Sequence, residues 1–250
     1  MHGISKWRSQ GASGIQLSEQ GGVRALHLGN SMVQSAMRLA APNDLELTYT
    51  RCMMAFMLFH PSPKKILMIG LGGGSLAKFV YHRLPLAQTI AIEIDPHVVA
   101  AARNHFYLPA DGERLQVVIA EGGEYVANHP LSADVLMIDG FDCGCQVPSL
   151  CNQDFYDRAR EVLKRKGVLV VNLLSRDKRF QDYLRRIEHS FPGRVLTLAA
   201  EVHGNLIAFA FKHSGKLDWA ELNERARKLE ADFALPFPEY VKKLRAGKLY

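Results

Sequence analysis

From Lys65 onward one unit recurs five times: a short apolar run, a glycine-rich or acidic turn, and a stretch with helical spacing. "KILMIGL" leads to "SLAKFVYHRL", "TIAIEI" to "DPHVVAAARNHF", and "LQVVIAEG" to "GEYVANH". "ADVLMIDGF" then leads to "NQDFYDRAREVLKRK", and "GVLVVNLL" to "RDKRFQDYLRRIEHSF". Strands this apolar must be covered on both faces, and parallel pairing through helical crossovers does that. Two further runs, "RVLTLAAEV" and "LIAFAFK", are separated only by "HGN", which predicts an antiparallel hairpin. The expected core is an α/β domain around a seven-stranded mixed sheet. A charged helix, "DWAELNERARKLEADFAL", and a short tail close the chain.

The first 48 residues read as a small β-region in front of this domain, which spans 49–250. "GIQLSEQ" and "VRALHL" alternate about Gly21-Gly22, the residue types of a tight hairpin turn, and "SMVQSAMRL" supplies a third strand. Residues 1–14, rich in Gly, Ser and polar residues, read as a frayed lead-in. Asp44 is a candidate N-cap for a helix rich in Met and Phe that ends at two prolines; its apolar stripe reads as plain core. Asp95, followed by Pro96, is a second candidate cap.

The composition, with 48% hydrophobic and 22% charged residues, is that of a globular protein. Apolar runs such as "MMAFMLF" fall short of the ~20 residues a membrane span needs, and the N-terminus lacks the apolar segment of a secretion signal. We expect a cytoplasmic protein with reduced thiols and no membrane partner. Three of the four cysteines lie in "CGCQVPSLC", without the paired C-x-x-C spacing of zinc sites, so we expect no metal. The net charge of +6 fits a solvated basic surface; no aromatic interleaving or RNA-binding motif accompanies it, and we expect no nucleic-acid partner.

In parallel sheets of this kind ligands bind beyond the carboxyl ends of the strands, where the strand order switches. Four ends carry chemistry: "GLGGGS", "EID", "AEGG" and "DGFD". Gly70, Gly72, Gly73 and Gly74 make a turn without side chains, open to a ligand, yet Ser75 breaks the G-x-G-x-x-G dinucleotide fingerprint. Glu93 ends the second strand, where a carboxylate can accept both hydroxyls of a ribose. Glu121 could accept an adenine amino group, with Gly122 leaving room for the ring. Together these residues outline an adenosine pocket with no phosphate cradle, which points to S-adenosylmethionine or a derivative rather than NAD. Asp139 and Asp142 leave the fourth strand, either as a functional pair or as carboxylates that stabilise the loop.

With these blocks assembled the chain resembles the spermidine synthase (polyamine aminopropyltransferase) family. That family joins an N-terminal β-domain to a Rossmann-like domain of the class I methyltransferase fold. "GNSMVQS … LELTYTRCM" is similar to its region ending in Y-x-E-M, "IGLGGGSL" to I-G-G-G-D-G-G, "EID" to its like, "AEGG" to G-D-G, and "DGFD" to D-S-x-D-P. The resemblance implies roles: Asp139 takes a proton from the attacking amine, Asp142 holds the substrate ammonium, and Tyr49 lines the amine channel. Gly70, Gly72, Gly73, Gly74, Glu93, Glu121 and Gly122 would hold decarboxylated S-adenosylmethionine, or S-adenosylmethionine itself. A homodimer is expected on the strength of exposed strand edges.

Four positions depart from the family pattern. Gly73 stands where the family has the Asp of G-G-G-D-G-G, Arg51 replaces the Glu of Y-x-E-M, Glu201 replaces a hairpin tyrosine, and Cys143 replaces the Pro of D-S-x-D-P. The resemblance thus implies aminopropyl transfer to an amine such as putrescine. The departures leave open a methyltransferase using intact S-adenosylmethionine, in which Arg51 would pair with the methionine carboxylate, and a non-catalytic relative.

Overall fold

Seven strands form the central sheet, in the order β12-β13-β11-β8-β5-β6-β7. The computed structural model describes residues 5–8, 14–29, 32–142, 145–201, 204–213, 215 and 217–247; for 5–8, Asp142 and Cys145 it describes the backbone alone. The parallel strands are β5 (Lys65–Ile69), β6 (Gln88–Glu93), β7 (Leu115–Ile119), β8 (Ala133–Ile138) and β11 (Leu163–Leu174). β13 (Asn205–Phe211) runs antiparallel to both β11 and β12 (Val195–Ala199), as the spacing of the last two apolar runs predicts. β8 is buried along its whole length, the condition its apolar run demands.

Helices α2 (Ser75–Arg83), α3 (Pro96–His105), α4 (Gly122–Asn128), α5 (Gln153–Val162) and α6 (Phe180–Ser190) make the crossovers. Asp95 caps α3 by accepting from the His97 N–H, with Pro96 at the first helical position, as read from the sequence. Because β5 lies between β8 and β6, the order switches between β5 and β8, so their carboxyl ends open one crevice.

The N-terminal sheet has four strands, β1 (Ser5–Arg8), β2 (Ile15–Gln20), β3 (Val23–Leu28) and β4 (Ser35–Arg38), in sequential order. Gly21 and Gly22 both adopt positive φ, the backbone a tight hairpin requires. Ile15, Leu17, Leu26 and Met37 pack on Val98, Ala101 and Phe106 of the α3 region. The buried Lys78 of α2 ties the two halves together, its Nζ donating to the carbonyls of Pro42 and Phe106, each at 2.7 Å.

Several local expectations change. Part of the lead-in, Ser5–Arg8, is a strand paired with β2. The third N-terminal strand is confined to β4. Asp44 caps nothing: its N–H closes a turn onto Ala41, and α1 (Thr48–Met53) starts after Leu47 with no side-chain cap, continuing as a 3₁₀ helix over Met54–Leu58. The "KRK" expected to end α5 belongs to β11, where pairing with β8 breaks between Leu163 and Val168. The polar start of the long helix, 176–179, precedes α6, and the tail beyond α7 (Trp219–Phe233) contains α8 (Phe237–Ala246). Among the described residues, no helix is long and apolar enough to cross a membrane.

Candidate active site

Beyond the carboxyl ends of β5, β6, β7 and β8 lies a cleft of about 260 Å³. Its walls include Gly70, Gly72, Glu93, Glu121, Gly122, Asp139 and Tyr49, so sequence positions spread over ninety residues meet in one hollow.

The glycine turn divides into two parts. Gly70 and Gly72 face the cleft with φ of +89° and +53°. A Cβ on Gly70 would stand 2.3 Å from the Asp139 carbonyl oxygen, so the ends of β5 and β8 can pass this closely only at glycine. Gly73 and Gly74 lie behind the wall. A side chain at 73 would meet Phe106 and Ser35 Oγ at 2.8 Å, and one at 74 would meet Leu108. Gly122 lines the cleft, but the space of its missing side chain is filled by Ile69, 2.5 Å from where a Cβ would stand. Contrary to the room for a ring that the sequence suggests, that space lets α4 approach β5.

Glu93 is held by two backbone N–H groups. Oε2 accepts from Leu71 at 2.9 Å and Oε1 from Asp95 at 3.1 Å. Each oxygen keeps a free lone pair, so a pair of vicinal hydroxyls can donate to it. Glu121 is the N-cap of α4, accepting from the Glu124 N–H at 2.7 Å and from Ser149 Oγ at 2.9 Å. Ile94, left exposed between Glu93 and Asp95, offers an apolar face to the same end of the cleft.

Asp139 follows the last residue of β8, its N–H bonded to the Ile69 carbonyl. Tyr49 Oη donates to Oδ2 at 3.1 Å and Asn172 Nδ2 to Oδ1 at 2.8 Å. Burial pushes the Asp139 carboxyl above the usual carboxylate range, while the two donors pull it back. Burial and the neighbouring carboxylate push the Tyr49 phenol well above its ordinary value, so it stays protonated and donating. Asp142 lies in β9 (Phe141–Asp142), a two-residue strand paired with β10 (Cys145–Gln146); its side chain and all of Cys143 lie outside the described residues.

Sequence reasoning missed Asn172, Asn205, Ser35, Ser75 and Arg176, all of which line the cleft. Asn172 did carry a signal, a polar residue inside the buried run "VLVVNLL". Arg51 does not line the cleft. Its Nε donates to the Leu45 carbonyl at 2.7 Å and its Nη2 to that of Glu46 at 3.1 Å, so its guanidinium fastens the segment before α1. The expected pairing of Arg51 with a methionine carboxylate therefore fails. Among the described residues no group of His, Cys, Asp or Glu side chains could hold a metal.

The reversed seventh strand, the glycine turn and the acids at successive strand ends define a member of the class I methyltransferase fold. Human methyltransferase-like protein 13, solved with SAH, superposes with a TM-score of 0.68 at 29% identity, over 76% of this chain and 93% of that one. A spermidine synthase in complex with the transition-state analogue AdoDATO superposes at 0.69 with 27% identity, over 93% and 84%. The family model of the spermine/spermidine synthase domain matches residues 46–209, and the chain belongs to that family. A polyamine aminopropyltransferase of Chromobacterium violaceum is 44% identical over 232 residues, 92% of this chain and 89% of that protein.

Proposed function

We propose that this protein is a polyamine aminopropyltransferase. It moves the aminopropyl group of decarboxylated S-adenosylmethionine to an amine such as putrescine. The observation that carries this reading is the Asp139 carboxylate, fixed by Tyr49 and Asn172 in the cleft that also holds Glu93 and Glu121.

The ribose hydroxyls donate to Glu93 and the adenine amino group to the remaining lone pairs of Glu121, with Ile94 against the ring. Gly70 and Gly72 bring backbone against the sulfonium end, and Asp142 takes the distal ammonium of the amine. The attacking nitrogen gives its proton to Asp139, forms the new N–C bond, and the C–S electron pair returns to sulfur. The protein mainly aligns the two partners. An ordinary aspartate (~3.9) is a poor base for an alkylammonium (~10.4), so the rise of Asp139 on burial serves the reaction by bringing the two affinities together. The cytoplasmic setting and a homodimer belong to the same reading.

A second reading, methyl transfer from intact S-adenosylmethionine, is favoured by one observation. No carboxylate stands at position 73, and the nearby cleft wall carries the neutral hydroxyls of Ser35 and Ser75, 3.3 Å apart. The test is direct. The purified protein is incubated with putrescine and either decarboxylated or intact S-adenosylmethionine, and methylthioadenosine, spermidine and methylated amine are followed by mass spectrometry. Equimolar methylthioadenosine and spermidine from the decarboxylated donor are expected; a methylated amine from intact S-adenosylmethionine, with no methylthioadenosine, would establish the second reading instead.

A further inference from the structure

We infer that Asn205 is a positioning residue for Asp139, acting through the side-chain amide of Asn172. The inference takes from the proposed function that Asp139 is the base. An ionised carboxylate only accepts, so Asn172 must turn its NH₂ group toward Oδ1, as it does at 2.8 Å. An amide free to rotate by half a turn would present its oxygen instead. Two acceptors would then face each other, and a proton on Asp139 would be needed to reconcile them.

The orientation is matched from the far side. Asn172 Oδ1 accepts from Asn205 Nδ2 at 2.9 Å, which leaves Nδ2 of Asn172 for the carboxylate. Strand register makes the contact possible: Asn172 lies opposite Ile207 and Leu174 opposite Asn205, so Asn205 is the diagonal neighbour of Asn172 on one face. The main chain of Asn172 is fixed as well, its carbonyl accepting from Gln146 Nε2 at 2.6 Å. With only 1% exposure, Asn172 has no solvent to replace the Asn205 donor. Asn205 thus keeps Asp139 an ionised acceptor without touching it.

The test is a double-mutant cycle of Asn205→Leu and Asn172→Ala with two readouts. One is the pH dependence of kcat/KM for the amine. The other is the carbon-13 titration of the Asp139 carboxyl in aspartate-labelled protein, assigned with Asp139→Asn. In Asn205→Leu the acid limb and the carboxyl midpoint should rise together by about half to one pH unit, lowering turnover below the limb about three- to tenfold, with KM for the donor unchanged. In the Asn172→Ala background Asn205→Leu should add nothing. Unmoved midpoints would overturn the inference, and so would the same effect in both backgrounds, which would mean that Asn205 acts on Asp139 by a route that bypasses Asn172. Should leucine disturb the strand, Asn205→Ala is read in the same way. The titration needs no turnover: a protein that transfers no aminopropyl group but shows the shifted carboxyl refutes the proposed function and keeps the relay, whereas transfer with unmoved midpoints does the reverse.

Discussion

A carboxylate proposed to accept a proton from an amine is useful only within a window of basicity, and burial together with two neighbours sets that window for Asp139. Burial raises it, and the Asn172 and Tyr49 donors lower it. Tyr49→Phe removes one donor, so the carboxyl should rise further and the acid limb of kcat/KM should move to higher pH; a limb that moves down or stays would refute the account. Asp139→Asn removes the proton acceptor and should cost about 10²–10⁴ in kcat, the usual range for a positioned base. Donor affinity by calorimetry should change no more than a few-fold, because the proposed nucleoside contacts are those of Glu93 and the backbone; retained turnover would take Asp139 out of the base role. The acids were legible in the sequence because a strand end is where an apolar run stops, so the residue type next to it is read directly. Arg51 and Gly122 were not, because where one side chain points and which neighbour fills a missing one depend on packing between distant elements.

At the scale of elements, the glycine turn and α2 connect the two sheets as well as shape the cleft. Phe106 is fully buried where a side chain at 73 would stand, and Ser35 Oγ is bonded toward Ser75. Gly73→Asp should therefore destabilise the fold by about 1–3 kcal/mol through overpacking, seen as a lower urea midpoint, before any effect on donor choice. Five residues further on, Lys78 is 1% exposed, and burial pushes it down to about 8 while the Pro42 and Phe106 carbonyls favour its charged form. Below pH 8 both folded and unfolded chains carry the proton, and the cost of burying the charge is fully present. Between about 8 and the ordinary lysine value of ~10.4 the folded state releases its proton first, so stability rises with pH in that window. Measured against Lys78→Met by urea denaturation at pH 7.5 and 9.5, the wild type should gain by an amount on the order of 1–2 kcal/mol; a wild type that loses stability relative to Lys78→Met between the two pH values would contradict the sign. The repeated units of the core were legible because their periodicity records burial on both faces. Helix ends were less so: "KRK" followed α5 in pattern yet lies in β11, in the stretch between Leu163 and Val168 where pairing with β8 is interrupted, because tertiary context overrides weak local preference.

For the whole molecule, the cleft lies where the two sheets meet: Ser35 comes from β4, Tyr49 from α1, and Glu93, Glu121, Asp139 and Asn172 from the strands of the central sheet or just beyond them. A donor bound there should stabilise the protein as a unit, by about 2.7 kcal/mol at a hundred times its Kd. The two donors differ in charge. Decarboxylated S-adenosylmethionine carries a sulfonium and an ammonium, whereas the intact molecule adds a carboxylate that cancels one charge. The chain carries a net charge of +6, yet Glu93, Glu121 and Asp139 line this cleft, and Arg176 stands at its edge as an exposed cation. Three acids in a partly closed site should favour the dication by roughly tenfold or more, an interaction weakened by salt. Calorimetric titration of both donors at low and at 0.5 M salt reads this directly. The decarboxylated form should bind more tightly at low salt, and its advantage should shrink as salt rises. If the intact molecule binds more tightly, the acids do not set the field at the sulfonium, and the neutral wall at Ser35 and Ser75 determines which donor the fold accepts.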